Sequence, residues 1–168
     1  MAGNQTLDIT TGCDLQEVDN AVNQASKELQ QRYDFRNVTF SIDFSRKENT
    51  ITLLAPDDMK LRALWEVLQM KLLRRQVPAK NLHPADPERA AGNTLRQVIS
   101  LQQGIPGDTA KKICKFIKDN KLKKVQAQIQ QDQVRLQSPS RDALQEAMGL
   151  LKAEDFGIAL QFGNFRTI

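Results

Sequence analysis

Seven lysines fall within nineteen residues of this chain: Lys111, Lys112, Lys115, Lys118, Lys121, Lys123 and Lys124, all between positions 106 and 124. Only Asp108 and Asp119 oppose them there, a local balance of +5, whereas the remainder holds 17 basic and 18 acidic residues, or −1. The positive excess of the whole chain therefore sits in one segment, which favours an anionic partner. On a helix over 107–119, Ala110, Ile113, Phe116 and Ile117 form the buried face. Lys111, Lys115 and Lys118 then recur at four- and three-residue steps on the opposite face, with Lys112 at its flank. Lys121, Lys123 and Lys124 carry the charge into the next loop. The chemistry such an array can do is neutralisation of several phosphates, with an affinity that falls steeply with salt. A solvated lysine face serving only solubility has the same composition.

Three further constellations offer polar recognition. A strand pair over 124–130 and 133–137 puts Val125, Ala127, Ile129, Val134 and Leu136 on the core side. Gln126, Gln128, Gln130, Arg135 and Gln137 then take the open side, where amides and a guanidinium can bond base edges or phosphates, or simply face water. Tyr33-Asp34-Phe35-Arg36-Asn37 combines a stacking surface with Arg36, a bidentate reader of phosphate or guanine; it reads equally as a helix end and turn with Asn37 left-handed. Arg36, Arg135 and Arg166 are the candidates for orienting a ligand held by the lysines. Gly104-Ile105-Pro106-Gly107-Asp108-Thr109 leads into a helix N-terminus, but it lacks the Gly-Lys-Ser/Thr order of a phosphate loop and Asp108 opposes an anion, so it reads as a plain turn.

Catalytic signatures are missing. No Gly-x-Ser-x-Gly elbow, His-Glu-x-x-His pair or second histidine to serve a cysteine nucleophile occurs, so the expected role is non-enzymatic, without metal or cofactor. His83 is the single histidine and Cys13 and Cys114 are the two thiols, too few ligands for a Cys/His zinc site; the thiols read as small buried hydrophobes. No aromatic-rich signature of an RNA-recognition sheet appears, which disfavours readout of single-stranded RNA by stacking. No apolar run approaches the roughly 18 residues that span a bilayer, and Met1-Ala2-Gly3-Asn4-Gln5 lacks a signal pattern, so a cytoplasmic protein without a membrane partner is expected.

The elements that must position these residues are legible from periodicity. Residues 5–12 read as a strand; Asp14 caps a helix reaching Tyr33, with Glu17 at the capping-box spacing and Leu15, Val18, Val22, Ala25 and Leu29 as its buried stripe. Residues 38–55 alternate as a hairpin broken at Glu48-Asn49. A second helix opens at Pro56-Asp57-Asp58, buries Leu61, Leu64, Trp65, Leu68 and Leu72, and closes before Pro78. Residues 79–93, with Pro84, Pro87 and Gly92, show no period and read as a linker. The order then repeats: strand 94–103, helix 107–119, the hairpin, helix 140–153, and a last extended piece 159–165. A repeat of about 85 residues suits a duplicated domain. The expected class is α+β: two tandem ferredoxin-like βαββαβ domains, 1–90 and 91–168, each an antiparallel four-stranded sheet with two helices on one face.

Several short runs resemble the YajQ family and follow its order along almost the entire chain: Tyr33-Asp-Phe-Arg-Asn-Val38, Lys71-Leu-Leu-Arg-Arg75, Gln103-Gly-Ile105, Lys111-Lys-Ile113, Val125-Gln-Ala-Gln-Ile-Gln130, Ser140-Arg-Asp142, Leu160-Gln-Phe162 and Asn164-Phe-Arg166. The resemblance implies tandem ferredoxin-like domains with leading strands exchanged between the halves, and nucleotide binding. Among ligands it implies cyclic di-GMP, nucleoside triphosphates or RNA, and as a further partner a transcription regulator. All of these ligands are polyanions, as the lysine array requires. The chain departs from the family at Gln131-Asp132, where Gly-Asp is common, at Ser138-Pro139, and in the additional lysine of Lys123-Lys124. The expected function is a nucleotide-binding protein that takes a nucleotide, cyclic dinucleotide or RNA through its lysine-rich helix and loop, the alternative being a protein-interaction adaptor in transcriptional regulation.

Overall fold

The computed structural model describes residues 3–168; Met1 and Ala2, part of the opening read for a signal pattern, lie outside the described residues. In chain order the strands and longer helices are Gln5–Thr10 (β1), Leu15–Gln31 (α1), Ser41–Ser45 (β2), Thr50–Ala55 (β3), Asp58–Arg74 (α2), Leu82–Pro84 (β4), Glu88–Ala90 (β5), Thr94–Leu101 (β6), Gly107–Asp119 (α3), Gln126–Gln130 (β7), Gln133–Ser138 (β8), Arg141–Ala153 (α4) and Gln161–Thr167 (β9). They form two compact units, one of Gly12–Gln103 and one of Gly104–Ile168 together with β1. The class is α+β, with two ferredoxin-like antiparallel sheets whose leading strands are exchanged. β1 inserts between β8 and β9 in the order β7-β8-β1-β9, and β6 takes the equivalent place in β2-β3-β6-β4.

Each leading strand is a central strand, which explains its depth. Leu7 and Ile9 of β1 are fully buried against Ile113, Ile117, Val134, Leu136 and Leu151. In the other unit Ile99 and Leu101 of β6 join Ile51, Leu53, Leu61, Leu64, Leu68 and Leu72 in a separate core. Removing such side chains from water is the main stabilising term, about 1.5–3 kcal/mol for each large aliphatic group.

Local chemistry sets the element ends, with some departures from the sequence expectations. Asp14 caps α1 by accepting from the amides of Gln16 (3.0 Å) and Glu17 (3.3 Å). Glu17 does not close the capping box, because its carboxylate accepts from Arg75 Nη1 at 3.0 Å instead. The first hairpin begins its ladder only at Ser41, although Val38 and Phe40 still pack against the core. Residues 79–93 are not a bare linker: β4 and β5 both pair antiparallel with β6. Three-residue edge strands are too short to display a period of two, and an edge tolerates Pro84 because its outward side needs no amide donor. Ile129, expected in the core, is 41% exposed, since β7 is an edge strand with a neighbour on one side only.

One corner of the Gly104–Ile168 unit fixes where α3 starts. Ile105 N donates to Asp132 O at 2.9 Å, and Gly104, at φ +81°, lies so close to Asp132 that an added Cβ would sit 2.6 Å from its Oδ2. Asp132 belongs to the two-residue turn between Gln130 and its partner Gln133, in which Gln131 adopts φ 56°. A side chain in that left-handed region is strained, and glycine relieves the strain while adding freedom to the unfolded chain. Gln131→Gly is therefore expected to stabilise the protein by about 0.5–1 kcal/mol, a rise of roughly 1–4 °C in a thermal melt. An unchanged or lowered melting temperature would contradict the turn assignment.

Candidate functional site

α3 buries Ala110, Ile113 and Ile117, and that orientation leaves Lys111, Lys112, Lys115 and Lys118 exposed on the other side. The helix ends in a tight hydrogen-bonded stop. Asn120 caps Phe116 O through both its amide (3.0 Å) and Nδ2 (2.8 Å), Lys121 N donates to Lys118 O at 3.1 Å, and Leu122 N donates to Ile117 O at 3.4 Å. These bonds occupy carbonyls that would otherwise present negative charge at the helix end. Lys121 turns the chain with φ 56°, and Leu122 and Val125 are buried as anchors. Around those anchors the exposed side chains are Lys121, Lys123 and Lys124.

None of the seven lysines is in a salt bridge with a described residue. Their surroundings differ all the same. A groove of about 290 Å³ beside Lys112 and Lys115 also carries Asp119, Glu154 and Asp155. One of about 540 Å³ beside Lys121, Lys123 and Lys124 carries Asp142 and Glu146. The third, about 250 Å³, is lined by Lys118, Lys121 and Lys123 with Ile117, Leu122 and Val125, and contains no carboxylate. Field lines from the array are least compensated at this last notch.

The arginines named from sequence are placed differently. Because Leu7, Ile9, Val134 and Leu136 face the helices, their alternates Thr6, Asp8, Arg135 and Gln137 point to the opposite sheet face. There Arg135 grips Asp8 with Nε to Oδ1 at 2.8 Å and Nη2 to Oδ2 at 3.3 Å. Asn164 Nδ2 donates to the same Oδ2 at 2.6 Å, and Arg166 Nε donates to Asn164 Oδ1 at 3.0 Å. The Arg135 hydrogen bond holds the Asp8 carboxyl below its ordinary range despite burial, and Asp8 in turn raises Arg135. Arg135 is thus engaged as a cross-strand staple between β8 and β1. Neither it nor Arg166 shares the helix surface that carries the lysines.

Arg36 belongs to the Gly12–Gln103 unit, where its guanidinium stacks 5.5 Å from the centroid of the exposed Tyr33 ring. Phe35 is buried, in edge-to-face contact with Phe40. Asn37 adopts φ 58°, the left-handed turn that sequence allowed. A recess beside β9 and the start of α4 has Arg141, Leu144 and Phe165 in its lining, residues that sequence reasoning did not single out. The available signals were Arg141 directly after the helix-capping Ser140, and an aromatic next to an arginine at the end of the last strand.

Both thiols are free. Burial raises Cys13 to about 11 and pushes Cys114 upward as well, so neither is set up as a thiolate nucleophile. His83 is exposed on β4. Among the described residues no group of three or more His, Cys, Asp or Glu could hold a metal ion, and no helix is long and apolar enough to cross a membrane. What the arrangement offers chemically is cationic capture by the lysines and planar guanidinium contacts at separate places.

Comparison with known proteins fits the whole chain. The family model described as "Nucleotide-binding protein YajQ-like" matches residues 5–166. A protein of Koribacter versatilis named as a nucleotide-binding protein is 48% identical over 167 residues, covering 99% of each chain. Another of that name from Desulforamulus reducens is 47% identical over 168 residues, covering 100% of both, and one from Trichlorobacter lovleyi is 48% identical over 161 residues, covering 96% of this chain and 98% of its own. With two exchanged ferredoxin-like sheets and a match running from the first strand to the last, this chain belongs to the YajQ-like family.

Proposed function

We propose that this protein is a non-catalytic nucleotide-binding protein whose phosphate-bearing ligand docks on α3 and the loop after it. The observation that carries the reading is the set of seven exposed lysines with no ion-pair partner among the described residues, on a chain whose relatives are named nucleotide-binding proteins. The acid-free notch of Lys118, Lys121 and Lys123 is the centre of the proposed surface, with Lys111, Lys112, Lys115 and Lys124 around it.

Magnitudes favour a ligand with several phosphates. One exposed ammonium–phosphate contact contributes roughly 0.2–1 kcal/mol, whereas micromolar affinity needs about 8 kcal/mol. A short RNA touching several lysines gains additionally from counterion release, which a single phosphate cannot match. Nucleoside triphosphates and cyclic dinucleotides such as cyclic di-GMP stand between these extremes.

Binding of a short RNA, guanosine triphosphate, cyclic di-GMP and guanosine at about 50 and 200 mM salt tests the reading. Affinity should follow the number of phosphates, fall with salt most steeply for RNA, and leave each ligand chemically unchanged. Guanosine binding as well as its phosphorylated forms would contradict it. Binding of none of them, together with nucleotide-independent capture of a transcription regulator, would favour the adaptor reading instead.

A further inference from the structure

An unpaired sheet edge is a row of free amides and carbonyls that can take a further strand, and proteins blunt such edges with charges, prolines, bulges or shortness. The edges of this chain are protected unequally. In the Gly12–Gln103 unit, β2 carries Asp43 at its middle, and the three-residue β4 ends in Pro84. In the other unit, β9 carries Arg166 and shifts register against β1. β7 has none of these devices. Its Gln126-Ala127-Gln128-Ile129-Gln130 holds no charge, proline or glycine, and Ile129 is 41% exposed.

The groups that β7 leaves free follow from its turn. A two-residue turn at Gln131-Asp132 makes Gln130 and Gln133 a hydrogen-bonded pair, and alternation makes Gln128–Arg135 and Gln126–Gln137 the next two. The amides and carbonyls of Ala127 and Ile129 therefore point away from β8. Val125 is in the same phase, and its outward amide donates to Leu122 O at 3.0 Å. No such bond occupies Ala127 or Ile129 among the described residues.

Laid antiparallel on itself about a two-fold axis at Gln128, this strand is its own complement. Ala127 of one copy exchanges two hydrogen bonds with Ile129 of the other, and the symmetry repeats the exchange. On the helix side the small Ala127, packed against the core, faces the exposed Ile129 of the second copy. On the open side Gln126 meets Gln130, and Gln128 meets Gln128. Past the strand ends, the same register brings Lys124 of each copy toward the turn that holds Asp132 of the other. Both residues are exposed and in no salt bridge with a described residue. A parallel pairing would set the two lysine-rich strand starts side by side, which like-charge repulsion opposes.

We propose that β7 is a self-association edge, through which two copies of this chain pair antiparallel and join their four-stranded sheets into one of eight strands. A second copy is the occupant because the complementarity lies within one strand and its flanks. Only a few hydrogen bonds and one small apolar contact hold the pair, so the expected Kd is about 0.1–1 mM.

Sedimentation velocity of the full chain across that concentration range tests it, with dimer growing as concentration rises. Ala127→Pro removes an outward amide and spares the ladder to β8, and Ile129→Lys puts a charge on the edge. Each substitution acts twice in a two-fold dimer, so either should raise the Kd at least about fivefold. The register has its own readout. Residues at the axis form a non-hydrogen-bonded pair with Cα atoms about 4.5 Å apart, within disulfide reach, so Gln128→Cys should give a disulfide-linked dimer under mild oxidation. Gln126→Cys, equally exposed but more than about 10 Å from its own copy, should give no more than the wild-type background. A monomer at every concentration, a dimer that survives both edge variants, or cross-linking at position 126 in preference to 128 would each overturn the proposal. A monomer that takes up a foreign extended peptide along β7 would overturn the second copy as occupant.

Discussion

Replacing Lys118, Lys121 and Lys123 together by glutamine is expected to weaken binding of a short single-stranded RNA by roughly three- to 150-fold and to flatten its salt dependence. The first figure follows from three exposed charge contacts of roughly 0.2–1 kcal/mol each. The second follows from counterion release: losing three phosphate contacts on a single strand makes the slope of log K against log salt shallower by about 2. The matching variant Lys111→Gln/Lys112→Gln/Lys115→Gln should cost less, because Asp119, Glu154 and Asp155 already offset part of that end of the array. Glutamine is suited to these exposed positions because it removes the charge but stays flexible and polar, and within α3 its helix propensity is close to that of lysine, so melting temperatures should barely move. Anisotropy titrations at three salt concentrations give both numbers. Equal losses for the two variants would refute the notch as the centre of the surface.

Asp8→Ala is expected to destabilise the fold by about 2–3 kcal/mol, a fall of roughly 4–12 °C in melting temperature. Asp8 is 6% exposed and is the shared acceptor of Arg135 and Asn164. Removing it strands two donors at the centre of the sheet. The loss stays below that of breaking a fully buried pair, because the Arg135 side chain is a third exposed and can reach water. The same contact has a pH signature. The folded state holds Asp8 below its ordinary carboxyl range, so its contribution is fully present above the unfolded value near 3.9. That contribution disappears as pH falls through the lower folded value. Stability of the wild type should therefore drop more steeply below about pH 4 than that of Asp8→Ala. Parallel acid limbs in denaturant melts would show that the staple contributes nothing.

These two predictions concern features of unequal visibility in the sequence. The lysine band was legible because a helical stripe is a local pattern: steps of three and four residues are enough to place Lys111, Lys115 and Lys118 opposite Ile113 and Ile117. α3 accordingly falls at the expected residues, 107–119. The Asp8–Arg135 staple was not legible, since its partners are 127 positions apart and meet only through the register of β1 on β8. Arg135 on sequence alone is a free donor on an open face; in the sheet it already has its acceptor.

Strand exchange follows the same logic. The alternation of Leu7 and Ile9 in β1, or of Ile99 and Leu101 in β6, specifies burial on one side, and either sheet could supply that burial. Only the family resemblance pointed to the exchange. β4 and β5 escaped notice because three-residue edge strands have too little length for a period, and the prolines around them read as breakers. Arg141 and Phe165 were individually unremarkable surface residues. Their recess exists because the end of the edge strand β9 lies beside the capped start of α4, a juxtaposition set by tertiary structure.

Backbone amide NMR of the protein titrated with a short RNA at low salt addresses the lysine surface most directly. The account predicts the largest shift changes at residues 115–124, diminishing as salt is added. Changes concentrated around Tyr33 and Arg36, or spread without preference while residues 115–124 stay still, would contradict it.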